Sequence, residues 1–164
     1  MHAYWQRAWA YVYSLTNDPF LTDDLTQDVF VRAYTSLDQF RNESSYKTWL
    51  FSIARNRCKD FQKSAFFRRV VPIDFHRTQS LDAEHTSAED EAVRAIERNE
   101  LWKAILTLKK PYREVVILHL REDMTFAEIA AVLSIPEVTA RARYRRALQQ
   151  LRAIYNTEVN RNDI

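Results

Sequence analysis

The segment 134–155, SIPEVTARARYRRALQQLRAIY, carries a cluster of arginine side chains with a single acid, Glu137, near its start. The arginines are Arg141, Arg143, Arg145, Arg146 and Arg152. Arginine is the side chain that most often reads guanine in the DNA major groove, and it also binds phosphate oxygens. The alternative is an ordinary solvated helix face. Four arginines within residues 141–146 without an intervening acid favour DNA reading over that alternative.

Two short helical patterns separated by the turn SIP would position these arginines. The first pattern, TFAEIAAVL, opens with Thr125 and Glu128 at the spacing of a capping box. We expect Ile129, Leu133 and Ile135 to fill the space between the two helices, which together form a helix-turn-helix signature. The side chains predicted to point outward from the second helix are Thr139, Arg141, Ala142, Arg145, Arg146 and Gln149.

A second basic face is predicted in YKTWLFSIARNRCKDFQK, residues 46–63. Its apolar stripe consists of Trp49, Leu50, Ile53, Ala54, Cys58 and Phe61, and its polar face of Lys47, Arg55, Asn56, Arg57, Lys59 and Lys63. Basic side chains of this kind can hold a nucleic-acid backbone, and the polar loop before them could receive an unstacked base. The alternative is a basic helix with a capped start at Ser44 or Ser45.

Composition and charge set the outer limits on function. The chain has 164 residues, 46% apolar content and a formal net charge of +2, with charge in blocks that suit several partners of different sign. Cys58 is the one cysteine, so the chain cannot form an internal disulfide, which fits a reducing compartment. No apolar run approaches the roughly 20 residues of a membrane span, and the amino terminus lacks the features of a signal peptide. We therefore expect a cytoplasmic protein with no membrane insertion.

The chain contains no glycine, although average usage is about 7%. This argues against tight hairpins, phosphate-cradling loops and Rossmann turns. Turns must instead use Asn, Asp, Ser or Pro. Asp18 and Pro19 have the pattern of a cap and a first helical residue, and Ser134 and Glu137 have capping-box spacing for the arginine-rich helix.

Helical periodicity covers most of the chain, but it breaks between residues 64 and 87. More than about 20 residues is too long for a connection inside a helical bundle, so we interpret this segment as a linker. The predicted fold is all-α: two small helical modules, residues 1–64 and 88–164, joined by a flexible linker over 65–87. The sequence shows no Ser-His-Asp set, carboxylate pair or phosphate loop, and its histidines lack metal-ligand spacing. We predict no catalytic residues, no metal, no cofactor and no enzymatic activity.

Three segments carry a family resemblance: DDLTQDVFVRAY, FRNESSYKTWLFSIARNRCKDF and YREVVILHLREDMTFAEIAAVLSIPEVTARARYRRAL. In this order they resemble the extracytoplasmic-function (ECF, group IV) sigma factors of the sigma-70 family, over nearly all of the chain except the linker and the ends. The resemblance implies a sigma-2 helical bundle, a linker and a sigma-4 helix-turn-helix module. It implies binding to core RNA polymerase, through the β′ clamp helices and the β subunit, and to promoter DNA, with melting of the −10 element. It also implies an anti-sigma factor as regulator.

The resemblance assigns roles to individual positions. The residues that match the polymerase-docking helix are Asp24, Gln27, Asp28 and Phe30. Those that match the −10 loop are Arg41, Asn42, Glu43, Ser44, Ser45 and Tyr46. Those that match the −10 helix are Lys47, Arg55, Asn56, Lys59 and Lys63, with Asn56 reading the upstream part of the element. Those that match the −35 reading face are Thr139, Arg141, Ala142, Arg145 and Arg146. For Trp49 we favour core packing.

The chain departs from the family at four positions where glycine is usual: Asn42, Asp123, Ser134 and Val138. Asn and Asp tolerate positive φ better than most residues. The β-branched Val138 implies helical geometry and adds bulk beside the DNA. Two other classes of protein remain open from the residues alone. One is a helix-turn-helix regulator that binds duplex DNA without core polymerase, and the other is an interaction module that has lost DNA binding.

Overall fold

The computed structural model describes residues 2–40, 44–70 and 100–162, and the regular structure in these ranges is helical throughout. The helices are α1 (His2–Thr16), α2 (Pro19–Thr35), α3 (Tyr46–Val70), α4 (Glu100–Thr107), α5 (Lys110–Leu120), α6 (Phe126–Leu133) and α7 (Glu137–Asn162), with a 3₁₀ turn at Leu37–Gln39. We call α1–α3 the amino-terminal unit and α4–α7 the carboxy-terminal unit. Arg41, Asn42 and Glu43 lie outside the described residues, as does most of the predicted linker. The predicted all-α fold is confirmed.

Local sequence signals set several helix boundaries. The Asp18 carboxylate accepts a hydrogen bond of 3.1 Å from the Leu21 amide, and Pro19 begins α2, as predicted. Thr125 and Glu128 form the predicted capping box at the start of α6. Helix α3, however, continues through Val70, past the residue at which we expected the linker to begin. The limits of the two modules stay a prediction.

Helix α1 is buried on every side over its second half. Residues 8–15, AWAYVYSL, are all buried, and Tyr11 is fully inaccessible to solvent. A helix that is apolar all round needs neighbours on all sides. Helices α2 and α3 cover one part of α1, and α5 of the carboxy-terminal unit covers another part. The two units therefore pack against each other through one continuous hydrophobic core.

The predicted inner faces are largely correct. Leu25, Val29 and Ala33 of α2 are buried, but Leu37, which was expected to continue this stripe, is 45% exposed in the 3₁₀ turn. In α3 the apolar stripe around Leu50, Ala54 and Cys58 faces the core. In the helix-turn-helix Ile129 and Leu133 are buried, and Ile135 packs against them. Burial also raises the pKa of the Cys58 thiol to about 12.

Three residues occupy the left-handed backbone region in this glycine-free chain: Asn17, Asp123 and Ser134, with φ of 54°, 51° and 52° within the described residues. Ser134 ends α6, and the amide of the next residue, Ile135, donates to the Ala130 carbonyl at 3.1 Å. The predicted capping box of Ser134 and Glu137 is therefore wrong, since Ser134 terminates one helix and does not start the next. Val138 lies in α7, so helical geometry there is confirmed.

Replacing Ser134 by glycine tests this backbone assignment. A non-glycine residue in the left-handed region costs roughly 1–2 kcal/mol, and glycine returns part of this as extra freedom of the unfolded chain. We expect Ser134→Gly to raise the free energy of unfolding by roughly 0.5–1 kcal/mol in urea titrations. Ser36→Gly is the matched control, because Ser36 has φ of −104° and should gain nothing. Equal effects of the two changes would contradict the assignment.

Candidate functional site

The outward face of α7 carries the predicted DNA-reading side chains. Arg141, Arg145 and Arg146 are exposed, and Thr139 and Ala142 are half-buried. Thr139, Ala142 and Arg146 line a surface groove of about 460 Å³ together with Lys109 and Arg143. Val138 is 72% exposed at the edge of this groove. The groove has the basic lining that a nucleic-acid backbone requires.

The Arg141 guanidinium is held in place before any ligand binds. It donates two hydrogen bonds to Glu137 Oε1, at 3.0 Å from Nε and 2.5 Å from Nη2. It also lies 4.7 Å from the centre of the Phe126 ring. The Phe126 ring packs against His119 and Tyr144, with centroid distances of 4.6 and 5.5 Å. Sequence reasoning missed this aromatic support, although Phe126 and Tyr144 flank the predicted turn.

The side chains that α3 contributes to the predicted −10 surface form two groups, which differ in their exposure to solvent. Asn56, Lys59 and Lys63 are exposed, whereas Lys47 and Arg55 are half-buried because they contact the carboxy-terminal unit. Ser44 and Ser45, at the start of α3, are exposed. At the start of α3, the rings of Tyr46 and Trp49 form a cluster with Phe40, with centroid distances of 5.0–6.1 Å. Trp49 is partly buried in this cluster, as favoured from the sequence.

A second groove, of about 350 Å³, lies beside Asn56 between α2 and α3. Its wall includes Arg32 and Arg57, which both donate hydrogen bonds to the Asp28 carboxylate. Partial burial disfavours the charged form of Asp28, but the hydrogen bonds and charges of Arg57 and Arg32 outweigh this effect and hold its pKa below the usual value. Asp28 therefore organises the basic side chains next to Asn56.

The four residues predicted to dock on polymerase do not share one face of α2. Asp24 and Gln27 are exposed, but Asp28 turns toward Arg57, and Phe30 packs against Trp5 with a centroid distance of 5.1 Å. The outermost stripe of α2 instead combines apolar and polar side chains at three- and four-residue spacing. It consists of Phe20, Asp24, Gln27, Val31 and Tyr34. The three- and four-residue spacing of these side chains is also present in the sequence, and it could have identified the stripe.

Acceptor groups of the carboxy-terminal unit lie against the start of α3. Lys47 Nζ donates to the main-chain oxygen of Glu122 at 2.6 Å and lies 3.4 Å from that of Asp123. The hydroxyls of Thr48 and Ser45 lie 3.2 and 3.4 Å from Glu128 Oε1. Part of the predicted −10 surface is therefore in contact with the other unit.

Two carboxylates are buried between the units. Glu122 is inaccessible to solvent and accepts a hydrogen bond of 2.7 Å from Arg7 Nε. Glu114 is 3% exposed and lies 3.8 Å from Arg55 Nε. Burial raises the pKa of both carboxyl groups, because the charged form loses hydration that the neighbouring cations only partly replace.

Comparison with known proteins agrees with this geometry. The model of Sigma-70 region 2 matches residues 1–66, and that of Sigma-70 region 4 matches residues 98–151. The ECF RNA polymerase sigma factor SigM of Bacillus subtilis is 28% identical over 158 residues, which cover 96% of this chain and 93% of SigM. The ECF sigma factor SigL of Mycobacterium tuberculosis is 30% identical over 145 residues, covering 88% of this chain and 80% of SigL.

Solved structures share the fold. The sigma factor RpoE in complex with the anti-sigma factor NepR, from Bartonella quintana, aligns with a TM-score of 0.65 and 24% identity over 91% of this chain and 89% of its own. CnrH in complex with the cytosolic domain of CnrY aligns with a TM-score of 0.60 and 24% identity over 95% of this chain and 83% of its own.

Sigma-70 region 2 and Sigma-70 region 4, which contains the helix-turn-helix, together define a class of transcription initiation factor. The chain belongs to the sigma-70 family, as an ECF sigma factor. It binds core RNA polymerase and promoter DNA and directs promoter-specific initiation. No helix among the described residues is long and apolar enough to cross a membrane. Within the same ranges, no group of three His, Cys, Asp or Glu side chains is placed to hold a metal ion.

The burial of Glu114 predicts a dependence of stability on pH. A carboxyl group whose pKa is raised by folding destabilises the folded state above that pKa and stops doing so as the pH falls through it. We expect Glu114→Gln to raise the urea midpoint at neutral pH, with a gain over the parent that shrinks on acidification. Glu100→Gln is the control, since Glu100 is exposed and should show no such trend. A lower midpoint for Glu114→Gln at neutral pH would mean that pairing with Arg55 outweighs burial.

Proposed function

We propose that three separate surfaces of this chain carry out promoter-specific initiation. The outward face of α7 reads the −35 element, α3 and the loop before it read and hold the −10 element, and the exposed stripe of α2 docks on the β′ clamp helices. The observation that supports this most directly is the exposure of the α7 arginines on the second helix of a capped helix-turn-helix. The chain acts by binding, so we propose no catalytic residues.

The −35 assignment rests on the preset position of Arg141 and on the basic groove lined by Thr139 and Ala142. Arg141 lies one turn into α7, where recognition helices reach base edges. A guanidinium held by Glu137 and Phe126 loses little freedom when it binds a base. Arg145 and Arg146 extend farther along the helix and suit phosphate contacts, while Thr139 and Ala142 leave room for close approach of the DNA.

The −10 assignment rests on Asn56 and the cations around it. Asn56 is an exposed amide at a groove whose wall carries Arg57 and Arg32. Lys59 and Lys63 continue the basic surface along α3, where they suit a single strand's phosphates. The −10 loop consists of Arg41, Asn42 and Glu43, followed by Ser44, Ser45 and Tyr46. We propose that this loop receives a flipped base. Capture of that base would offset an unstacking cost of a few kcal/mol, so melting needs no ATP.

The exposure of the α2 side chains refines which residues we assign to the polymerase contact. Asp24 and Gln27 stay in the proposed contact, joined by Phe20, Val31 and Tyr34, which are 72%, 59% and 69% exposed. Large apolar side chains between acidic and amide groups are typical of a protein-binding surface. Asp28 and Phe30 support this surface from behind, through Arg57 and Trp5.

Three further assignments follow from the function. Because polymerase and promoters share the bacterial cytoplasm, we place the chain there. The sigma factor RpoE, whose fold this chain shares, was solved in complex with the anti-sigma factor NepR, so we propose an anti-sigma factor as the regulator of this chain. Contact with the polymerase β subunit is proposed for the carboxy-terminal unit.

Run-off transcription tests the function as a whole. The purified chain is added to core RNA polymerase on a library of promoter templates, with core polymerase alone as the control. Initiation at a defined subset of templates supports the proposal. Binding to duplex DNA without any initiation would favour the helix-turn-helix regulator, and absence of both would favour an interaction module.

Truncation of one exposed ring tests the polymerase surface. Tyr34→Ala should weaken binding to core polymerase by about tenfold, because buried tyrosines at interfaces commonly contribute 1–2 kcal/mol or more. Leu37→Ala is the matched control, since Leu37 is 45% exposed but lies in the 3₁₀ turn after α2, outside the stripe and outside the carboxy-terminal unit. The measurement is a fluorescence titration of labelled chain with core polymerase. An equal effect of the two substitutions would contradict the assignment to α2.

The role of Arg141 is tested by base substitution in the −35 element. Arg141→Ala should cost roughly 1–3 kcal/mol on templates with the preferred base at one −35 position and much less on templates that lack it. Arg152→Ala provides the control, because Arg152 is exposed farther along α7 and should show no base preference. A loss for Arg141→Ala that is equal on all templates would show that this side chain only holds phosphate.

A further inference from the structure

We propose that Val138 is a specificity-determining residue of the −35 reading face, whose methyl groups contact the C5-methyl group of a thymine in the major groove. The proposal rests on the assignment of α7 to the −35 element, and it adds a base preference that this assignment does not contain. Three features of Val138 support it: its place in α7, its exposure and the side chains around it.

Val138 lies in the first turn of α7, the part of a recognition helix that reaches base edges. The amides of Thr139 and Ala140 donate to the Pro136 carbonyl at 3.0 and 3.1 Å, so the backbone around Val138 is already helical. A β-branched side chain in a helix has one strongly preferred χ1 rotamer. The two methyl groups of Val138 are therefore held in nearly fixed positions before DNA binds, and little side-chain entropy is lost on contact.

The Val138 side chain is 72% exposed, at the edge of the groove that Thr139 and Ala142 line. An apolar side chain that stays in water on folding contributes little to the stability of the free chain. Its transfer out of water is favourable, however, when a partner surface covers it. The methyl groups of Val138 can therefore contribute binding free energy at the DNA surface.

The chemistry of Val138 distinguishes thymine from the other three bases. The side chain has no hydrogen-bond donor or acceptor, so it cannot pair with the polar groups that guanine, cytosine and adenine present in the major groove. Covering such a group with valine would remove its hydration without replacing the hydrogen bond, which is unfavourable. Thymine presents an apolar group at its major-groove edge, the C5-methyl. Val138 therefore favours thymine at the position it faces.

The side chains beside Val138 fit the same contact. Ala142 lies one turn farther along the same helix face, and both Ala142 and Thr139 are short, half-buried and part of the groove lining. They therefore allow the DNA to approach Val138 closely. Lys109 and Arg146 line the same groove and suit the phosphates of the flanking backbone. A small apolar surface with cations beside it matches a thymine edge with the backbone next to it.

Val138 and Arg141 are three positions apart, so they lie on neighbouring parts of one helix face. Arg141 is held there by Glu137 and by the Phe126 ring. One turn of helix rises about 5.4 Å and one base pair about 3.4 Å, so the two side chains reach bases within about two base pairs of each other. We expect the thymine that Val138 contacts to lie beside the base that Arg141 contacts.

Replacement of thymine by uracil tests the contact at the level of one methyl group. Deoxyuridine keeps every hydrogen-bonding group of thymidine and lacks only the C5-methyl. The full chain is assembled with core polymerase and assayed by run-off transcription at limiting concentration, on a promoter that the parent chain uses. Each thymine of the −35 element, on either strand, is replaced in turn. We expect initiation to fall about fourfold at one position, the equivalent of one buried methyl group.

Val138→Ala on the same templates shows which side chain makes the contact. Alanine favours a helix and Val138 is exposed, so the variant should fold, which circular dichroism verifies. The ratio of initiation between the thymine and uracil templates should fall from about fourfold to near unity at that position.

Tyr155→Ala is the matched control, because it truncates another exposed side chain of α7, 68% accessible to solvent. It should leave the ratio at the parental value. The ratio is taken within one chain, so a uniform effect of either substitution on polymerase binding cancels.

A parent chain that initiates but shows no uracil penalty at any position of the −35 element overturns the proposal. An undiminished penalty in Val138→Ala also overturns it, because another side chain then contacts the methyl group. If Val138 only adds bulk beside the DNA, Val138→Ala increases initiation on thymine and uracil templates alike, and this result overturns the proposal as well. Failure of the proposed function is seen separately, as absence of promoter-specific initiation by the parent chain on any template.

Discussion

The rest of the structure depends on the burial of α1 on all sides. Residues 8–15 offer no polar face, so α1 needs cover that α2 and α3 cannot provide alone. Helix α5 supplies this cover, and with it come Glu114 and the turn that holds Glu122. The hydrophobic requirement of one helix thus places the acids of the carboxy-terminal unit against the cations of α3.

The same packing explains why some functional side chains are exposed and others are not. The α2 stripe and the arginines of α7 point away from the shared core, whereas Lys47 and Arg55 point into the contact between the units. Core burial through α1 stabilises the packing of the two units, whereas the buried Glu114 and Glu122 carboxylates oppose it, because burial raises their pKa values.

Much of the fold could be predicted from the sequence, because its signals are local. The capping box of Thr125 and Glu128, the inner face of α3 and the outward arginines of α7 follow from spacing alone.

The roles of Ser134 and Phe30 could not be predicted this way. Ser134 ends a helix through a backbone conformation that spacing does not reveal, and Phe30 turns inward because Trp5 is there to receive it. The contact between the units was missed although the uninterrupted apolar run of α1 indicated it. The −10 loop at Arg41, Asn42 and Glu43 stays a prediction.

The two units pack against each other in the structure, with α1 against α5. A spin-label distance between Asp60→Cys on α3 and Gln150→Cys on α7 measures this directly, since both positions are exposed. The buried Cys58 thiol, with a pKa of about 12, should stay unlabelled under native conditions. We expect one narrow distance distribution for the free chain, because the shared core fixes α3 and α7 relative to each other. A long and broad distribution in the free chain would contradict this packing.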